Sequence, residues 1–128
     1  MSKNYRGRMT GRSTAKGTSV GVLSLTDYPP VSLDDGPAWA MMMLKLKYLG
    51  SESGYSFNKR LELIESVKAF IVGTLRGYMS KGGDFDDFKG KWKYLRTGLP
   101  LQGRLLFEQT FYDLGSPWRY LVSGFSPL

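Results

Sequence analysis

The chain from Met41 to Leu49 alternates apolar and polar positions. Four apolar side chains fall on one face of this segment: Met42, Leu44, Leu46 and Tyr48. Lys45 and Lys47 fall on the opposite face. A period of two residues predicts a β-strand with one buried face and one basic face. The residues that follow, Gly50-Ser-Glu-Ser-Gly54, predict a turn.

From Asn58 to Met79 the period changes to steps of three and four residues. The apolar positions are Leu61, Ile64, Val67, Ile71, Leu75 and Tyr78. This spacing predicts one long amphipathic helix, with Ser56 or Asn58 as its N-cap. Gly82 and Gly83 are expected to end it.

Three further alternating segments follow, separated by Gly and Pro residues. They run from Lys91 to Thr97, from Arg104 to Tyr112 and from Trp118 to Phe125. The order of one strand, one long helix and three strands predicts an α+β fold. In it, an antiparallel sheet of about four strands packs against the helix.

A basic segment precedes this domain. The first 26 residues contain five of the 18 basic residues and no acidic residue: Lys3, Arg6, Arg8, Arg12 and Lys16. The whole chain of 128 residues carries a net charge of +7. We therefore expect residues 1–36 to form a flexible, disordered arm that binds anionic partners, and residues 37–128 to form a single domain. The alternative is that the arm only increases solubility.

The composition limits the possible chemistry. The chain contains no Cys and no His, which excludes disulfides and thiolate metal sites and removes the usual proton-transferring side chain. Five acidic residues are candidates for a cation site: Asp84, Asp86, Asp87, Glu108 and Asp113. Their spacing lacks the pattern of a calcium-binding loop, and solvated loop charge is the better interpretation. We expect no enzymatic activity and no cofactor.

Basic and aromatic residues alternate near Trp92 and Tyr94. The basic residues here are Lys89, Lys91, Lys93 and Arg96. Such an arrangement can bind single-stranded nucleic acid by stacking and charge. We instead expect both rings to lie in the core. The lysines, together with Lys45 and Lys47, would then form a basic surface for membrane lipid or nucleic acid.

The segment from Tyr28 to Leu33 has the form of a short linear motif. Pro29 and Pro30 stiffen it, so that Tyr28 and Leu33 would be presented to a groove on a partner. A plain linker is the alternative interpretation.

These features together resemble a rhabdovirus matrix protein. The resemblance rests on the basic arm, the tyrosine-proline motif, Gly54-Tyr-Ser-Phe57 and Trp92-Lys-Tyr-Leu-Arg96. It implies an α+β fold that self-associates, binds anionic membrane and nucleocapsid, and drives budding. It further implies that Tyr28, Pro29, Pro30 and Leu33 recruit the host membrane-scission machinery, and that the basic arm contacts lipid.

The leading hypothesis is a viral matrix-like structural protein. It would self-associate and bridge anionic membrane and nucleocapsid, in the host cytoplasm at the inner face of the membrane and in the virion. Trp39, Met41, Met43 and the segment from Phe125 to Leu128 are the expected apolar contacts between copies. The alternative is a small basic nucleic-acid-binding protein, either capsid-like or RNA-chaperone-like, with nucleoprotein or RNA as its partner.

Overall fold

The computed structural model describes residues 21–51 and 56–123, and this part of the chain is helical. The four α-helices are α1 (Gly36–Gly50), α2 (Phe57–Ser80), α3 (Phe85–Leu95) and α4 (Leu101–Leu114). Short 3-10 helices occupy Leu25–Asp27, Arg96–Gly98 and Trp118–Leu121. Helices hold 75% of the described residues, which contain no strand. The predicted α+β fold is therefore wrong, and so is the α+β fold that the resemblance implied.

Helix α1 replaces the strand predicted from Met41 to Leu49. Asp35 caps its start by accepting a hydrogen bond from the backbone N–H of Ala38, 3.0 Å away, and Pro37 lies in the first turn. Both residue types favour a helix start at these positions. Met42, Leu46 and Leu49 are buried at steps of four and three residues. Leu44 and Tyr48 belong to the apolar alternation from which the strand was predicted, but both side chains are exposed.

The long helix predicted from Asn58 to Met79 is confirmed as α2. Ser56 is its N-cap and accepts a hydrogen bond from the backbone N–H of Lys59, 3.2 Å away. Its buried apolar residues are Leu63, Val67, Ile71, Val72 and Leu75. The chain leaves the helix at Lys81, and Gly82 follows with a φ of 89°, a conformation that favours glycine.

The other three predicted strands are also helical or irregular. The segment from Lys91 to Thr97 lies in α3 and the following 3-10 turn, and that from Arg104 to Tyr112 lies in α4. Of the fourth, the part that the structure describes begins with the 3-10 helix Trp118–Leu121. Gly115, with a φ of 80°, ends α4.

The core lies between three α-helices and an aromatic cluster. Helix α2 packs against α1 and α4, and α1 also contacts α4, where Gly103 lies close to Leu46. Rings from α3, α4 and the C-terminal 3-10 helix meet edge to face or stacked: Phe88, Trp92, Phe107, Phe111 and Trp118. The cluster attaches one face of α3 to the rest of the domain. The opposite face of α3 lies in solvent.

Residues 21–35, which we call the strap, pack across two of the helices. The backbone N–H of Leu23 donates to the carbonyl oxygen of Asp113 at the end of α4, 2.9 Å away. Further along, the N–H of Val31 donates to the carbonyl oxygen of Gly73 in α2, 2.8 Å away. The strap therefore joins the packed domain on the N-terminal side of the predicted division at residue 36.

Candidate anion-binding surface

Helix α3 has acidic residues at its start and basic residues at its end. Asp84 is the N-cap and accepts a hydrogen bond from the backbone N–H of Asp87, 2.8 Å away. Asp86 and Asp87 lie in the first turn, and Lys93 lies in the last. This order complements the helix dipole, which favours negative charge at the N-terminus and positive charge at the C-terminus. Three of the five acidic residues named as candidates for a cation site therefore begin a helix.

Two aromatic side chains fix the orientation of α3. Phe88 and Trp92 are buried, four residues apart, and every other residue from 86 to 94 is exposed. Because burial of these rings determines which face of the helix meets the core, the three lysines must lie on the outer side. The expectation that Trp92 lies in the core is confirmed.

Lys89, Lys91, Lys93 and Tyr94 form the surface that we call the lysine face. All four side chains are exposed, and the ring of Tyr94 is 84% exposed. The expectation that Tyr94 lies in the core is therefore wrong. Within residues 21–51 and 56–123, ion pairs involve Lys59 and Lys68, and none involves a lysine of this face. The charges of Lys89, Lys91 and Lys93 are thus available to an anionic partner.

A cleft of about 720 Å³ adjoins the lysine face. It lies where the strap, α1, the end of α2 and α3 come together, and Lys91 is part of its wall. Two charged groups of each sign line it, Lys81 and Lys91 against Asp34 and Asp87. The ammonium of Lys91 lies 6.0 Å from the ring centroid of Tyr78, within the range of a weak cation–π attraction.

The hydroxyl of Tyr78 in this cleft holds its proton more strongly than an ordinary tyrosine. Partial burial is the largest cause of its raised pKa, followed by the negative charges of Asp87 and Asp84. A side-chain hydrogen bond with Asp87 acts in the same direction. Tyr78 is therefore neutral at physiological pH, and its hydroxyl proton is engaged by Asp87.

The predicted basic residues do not form one surface. Lys45 and Lys47 lie on α1 rather than on a strand, and α1 packs against α2 and α4. Lys45 is half-buried and donates a hydrogen bond to the hydroxyl of Ser66, whereas Lys47 is exposed. The basic arm residues lie outside the described residues: Lys3, Arg6, Arg8, Arg12 and Lys16.

The predicted linear motif is bound to its own chain. The hydroxyl of Tyr28 donates to the carboxylate of Glu65, and its carbonyl oxygen accepts from Arg76, 2.8 Å away. The carbonyl oxygen of Leu33 accepts from the indole N–H of Trp39, 3.0 Å away. Pro29 and Pro30 are exposed. In this conformation, the side chain of Tyr28 and the backbone of Leu33 contact the protein itself.

The expected apolar contact residues are distributed unevenly. Trp39 is half-buried, with its ring edge to face with Phe70 at 4.8 Å between centroids. Met41 is 52% exposed, and Met43 is 36% exposed. The segment from Phe125 to Leu128 lies outside the described residues.

The remaining acidic candidates have structural partners. Glu108 is buried and accepts a hydrogen bond from the hydroxyl of Ser123, 3.1 Å away. Asp113 accepts one from the amide of Gln109, also 3.1 Å away. Among the residues that the structure describes, no three His, Cys, Asp or Glu side chains form a group that could hold a metal ion.

The comparisons with known proteins identify no relative. No protein-family model, no curated protein and no solved structure matches the chain. In the described ranges, no helix has both the length and the apolar character needed to cross a bilayer. The function must therefore be inferred from the surface itself.

Proposed function

We propose that the chain is a non-enzymatic, viral matrix-like structural protein that binds anionic membrane lipid and associates with copies of itself, bridging membrane and nucleocapsid. The lysine face is the observation that carries this proposal. Three lysines that form no ion pair in the described residues share the solvent-exposed side of α3 with the exposed ring of Tyr94. The fold adds no support from the matrix-protein resemblance, because the described residues contain no sheet.

The physical chemistry of an anionic bilayer suits this face. A basic residue near such a surface contributes about 1 kcal/mol, so three lysines contribute about 3 kcal/mol, or roughly a hundredfold in binding. Tyr94 suits the same setting, since tyrosine rings concentrate at the level of lipid headgroups. The five basic residues between positions 1 and 20 would add to the attraction.

A second candidate function is binding of single-stranded nucleic acid. The specific observation in its favour is the exposed ring of Tyr94, which lies next to Lys93 in the chain. A base can stack on such a ring while lysines contact the neighbouring phosphates. Asp86 and Asp87, exposed on the first turn of the same helix, repel the phosphates of RNA and of lipid alike, so they do not distinguish the two functions.

Co-sedimentation of the full chain separates these two functions. Vesicles that contain phosphatidylserine, vesicles of phosphatidylcholine alone and a generic single-stranded RNA are compared across a salt series. We expect binding to the phosphatidylserine vesicles that weakens as salt rises, and little binding to phosphatidylcholine. Binding to RNA alone would replace the membrane proposal with the nucleic-acid function. Binding to neither would contradict both.

A further inference from the structure

Two glycines of α2 form a notch that the strap fills. Gly73 and Gly77 lie four residues apart, on one side of the helix, and both are buried. A Cβ atom on Gly73 would lie 2.6 Å from the carbonyl oxygen of Pro29 and 2.7 Å from Cγ2 of Val31. A Cβ on Gly77 would overlap the carbonyl oxygen of Val31. Only glycine at these positions lets the strap approach the helix so closely.

Helix α2 holds the strap through backbone and side-chain contacts. The hydrogen bond from the N–H of Val31 to the carbonyl oxygen of Gly73 fixes the position of the strap along the helix. Arg76 bonds the carbonyl oxygen of Tyr28, and Glu65 accepts from its hydroxyl. These contacts recognise a short extended segment by its main chain, by one tyrosine and by one small branched residue. That is the usual manner in which proteins bind extended peptides.

The connection between the strap and α1 is short and exposed. Ser32 and residues 34–37 are all exposed. Two hydrogen bonds stabilise the turn. The backbone N–H of Asp35 donates to the carbonyl oxygen of Ser32, 3.2 Å away, and the indole N–H of Trp39 donates to the carbonyl oxygen of Leu33. The first buried residue of α1 is Met42, which lies beyond this hinge in the chain. Pro29 and Pro30 restrict the released segment to extended conformations, which reduces the entropy lost when it binds again.

We propose that two copies of the chain exchange their straps, so that the Tyr28–Val31 segment of each fills the Gly73–Gly77 notch of the other. This inference specifies the self-association included in the proposed function. Each copy carries both the segment and the notch, so the exchange is reciprocal and closes as a dimer. The hydrogen bonds are the same within a chain as between chains. Concentration therefore decides which form is populated, and crowding on a membrane favours the exchanged form.

Sedimentation equilibrium of the full chain, without lipid, tests the proposal. We expect the wild-type protein to dimerise as its concentration rises into the millimolar range, where association between chains competes with closure within one chain. The notch is filled twice in two closed monomers and twice in one exchanged dimer, so Gly77→Ala is expected to dimerise like the matched control Gly90→Ala, whose added Cβ meets nothing within 4 Å. A four-residue Gly-Ser insertion between Asp34 and Asp35 lengthens the hinge, favours closure within one chain and is expected to weaken dimerisation at least tenfold. A wild-type protein that stays monomeric, or an insertion variant that dimerises like the wild type, would overturn the proposal.

Cross-linking tests the exchange without relying on a variant of the hinge. The sequence contains no cysteine, so Tyr28→Cys and Glu65→Cys can be made as separate, differently tagged proteins. After incubation together at high concentration, a short bismaleimide is expected to join the two tags. Dimers that form without this cross-link would show association through another surface and contradict the exchange. Neither experiment includes vesicles, so a failure of membrane binding leaves both results interpretable.

Discussion

The indole of Trp92 stacks on the ring of Phe107, with 5.3 Å between ring centroids and 19° between planes. The same indole meets Phe111 edge to face at 5.0 Å. Trp92 is 2% exposed, and its Nε1 has no hydrogen-bond partner among the described residues. The indole therefore stabilises the attachment of α3 through its buried area and ring contacts, without help from its N–H group.

Two substitutions of Trp92 should separate the contribution of its buried ring to the free energy of unfolding from that of its N–H group. Trp92→Ala removes the ring and is expected to lower the free energy of unfolding by about 3–5 kcal/mol. Trp92→Phe keeps an aromatic ring and removes an unbonded donor, so we expect a loss of about 1–2 kcal/mol. Urea unfolding followed by circular dichroism measures both. Equal losses for the two variants would show that the indole N–H is bonded.

The two kinds of helical glycine should respond oppositely to alanine. Alanine favours a helix interior by about 1 kcal/mol over glycine. We expect Gly90→Ala, on the open side of α3, to stabilise the protein by about that amount. Gly77→Ala brings the same helix preference but displaces Val31, so it should lower the melting temperature. If Gly77→Ala also raised the melting temperature, the strap would not be held in the notch.

Alkaline pH should weaken the hold of α2 on the strap through Tyr28. Burial, and then the hydrogen bond and charge of Glu65, raise the pKa of this phenol above its ordinary value of 10.0. The unfolded chain therefore loses this proton at a lower pH than the folded chain, and stability falls as pH rises past about 10. We expect the unfolding free energy of the wild type to fall more steeply between about pH 9 and 11.5 than that of Tyr28→Phe. Parallel curves would contradict the contact with Glu65.

Tyr94 should matter for binding and not for folding. Since its ring is 84% exposed, Tyr94→Ala is expected to change the free energy of unfolding by less than about 0.5 kcal/mol. Loss of an interfacial ring should weaken binding to phosphatidylserine vesicles severalfold in a co-sedimentation assay. Tyr112→Ala, another exposed tyrosine on a different helix, is the control for a general effect of removing a ring.

The sequence predicts one helix well because the pattern of α2 is long. Over more than twenty residues, steps of three and four cannot be confused with alternation. Short segments allow both interpretations. In α1, buried Met42, Leu46 and Leu49 follow the helical spacing, while exposed Leu44 and Tyr48 produce the apparent alternation. The deciding signals were the cap residue Asp35 and the following Pro37.

The sequence pattern does not predict α3, for a related reason. Phe85, Phe88, Trp92 and Leu95 follow a helical spacing, but the acidic residues at the start are typical of a loop and the alternation at the end predicts a strand. The capping role of Asp84 could have been recognised from the sequence. That error also placed Tyr94 in the core. Once α3 is known to be a helix, Trp92 and Tyr94 point in different directions, and only Trp92 can be buried.

The sequence does not predict that the strap packs against α2. Nothing in the local pattern connects Gly73 and Gly77 with Val31, about forty residues earlier. The two glycines can be recognised as a binding notch only when the position of the segment that fills it is known. Basic surfaces are easier to predict, since lysines are exposed in almost any fold.

Charge-matched lysine variants test the central claim, that the lysine face binds anionic membrane, most directly. Lys89→Gln with Lys93→Gln removes two charges from that face. Lys59→Gln with Lys68→Gln removes two from α2, where these lysines lie 3.6 Å from Glu62 and 3.8 Å from Glu65. With phosphatidylserine vesicles at low salt, we predict that the first pair weakens binding roughly thirtyfold, at about 1 kcal/mol per lysine, and the second severalfold at most. Equal losses for both pairs would show that net charge alone drives binding and would contradict the account.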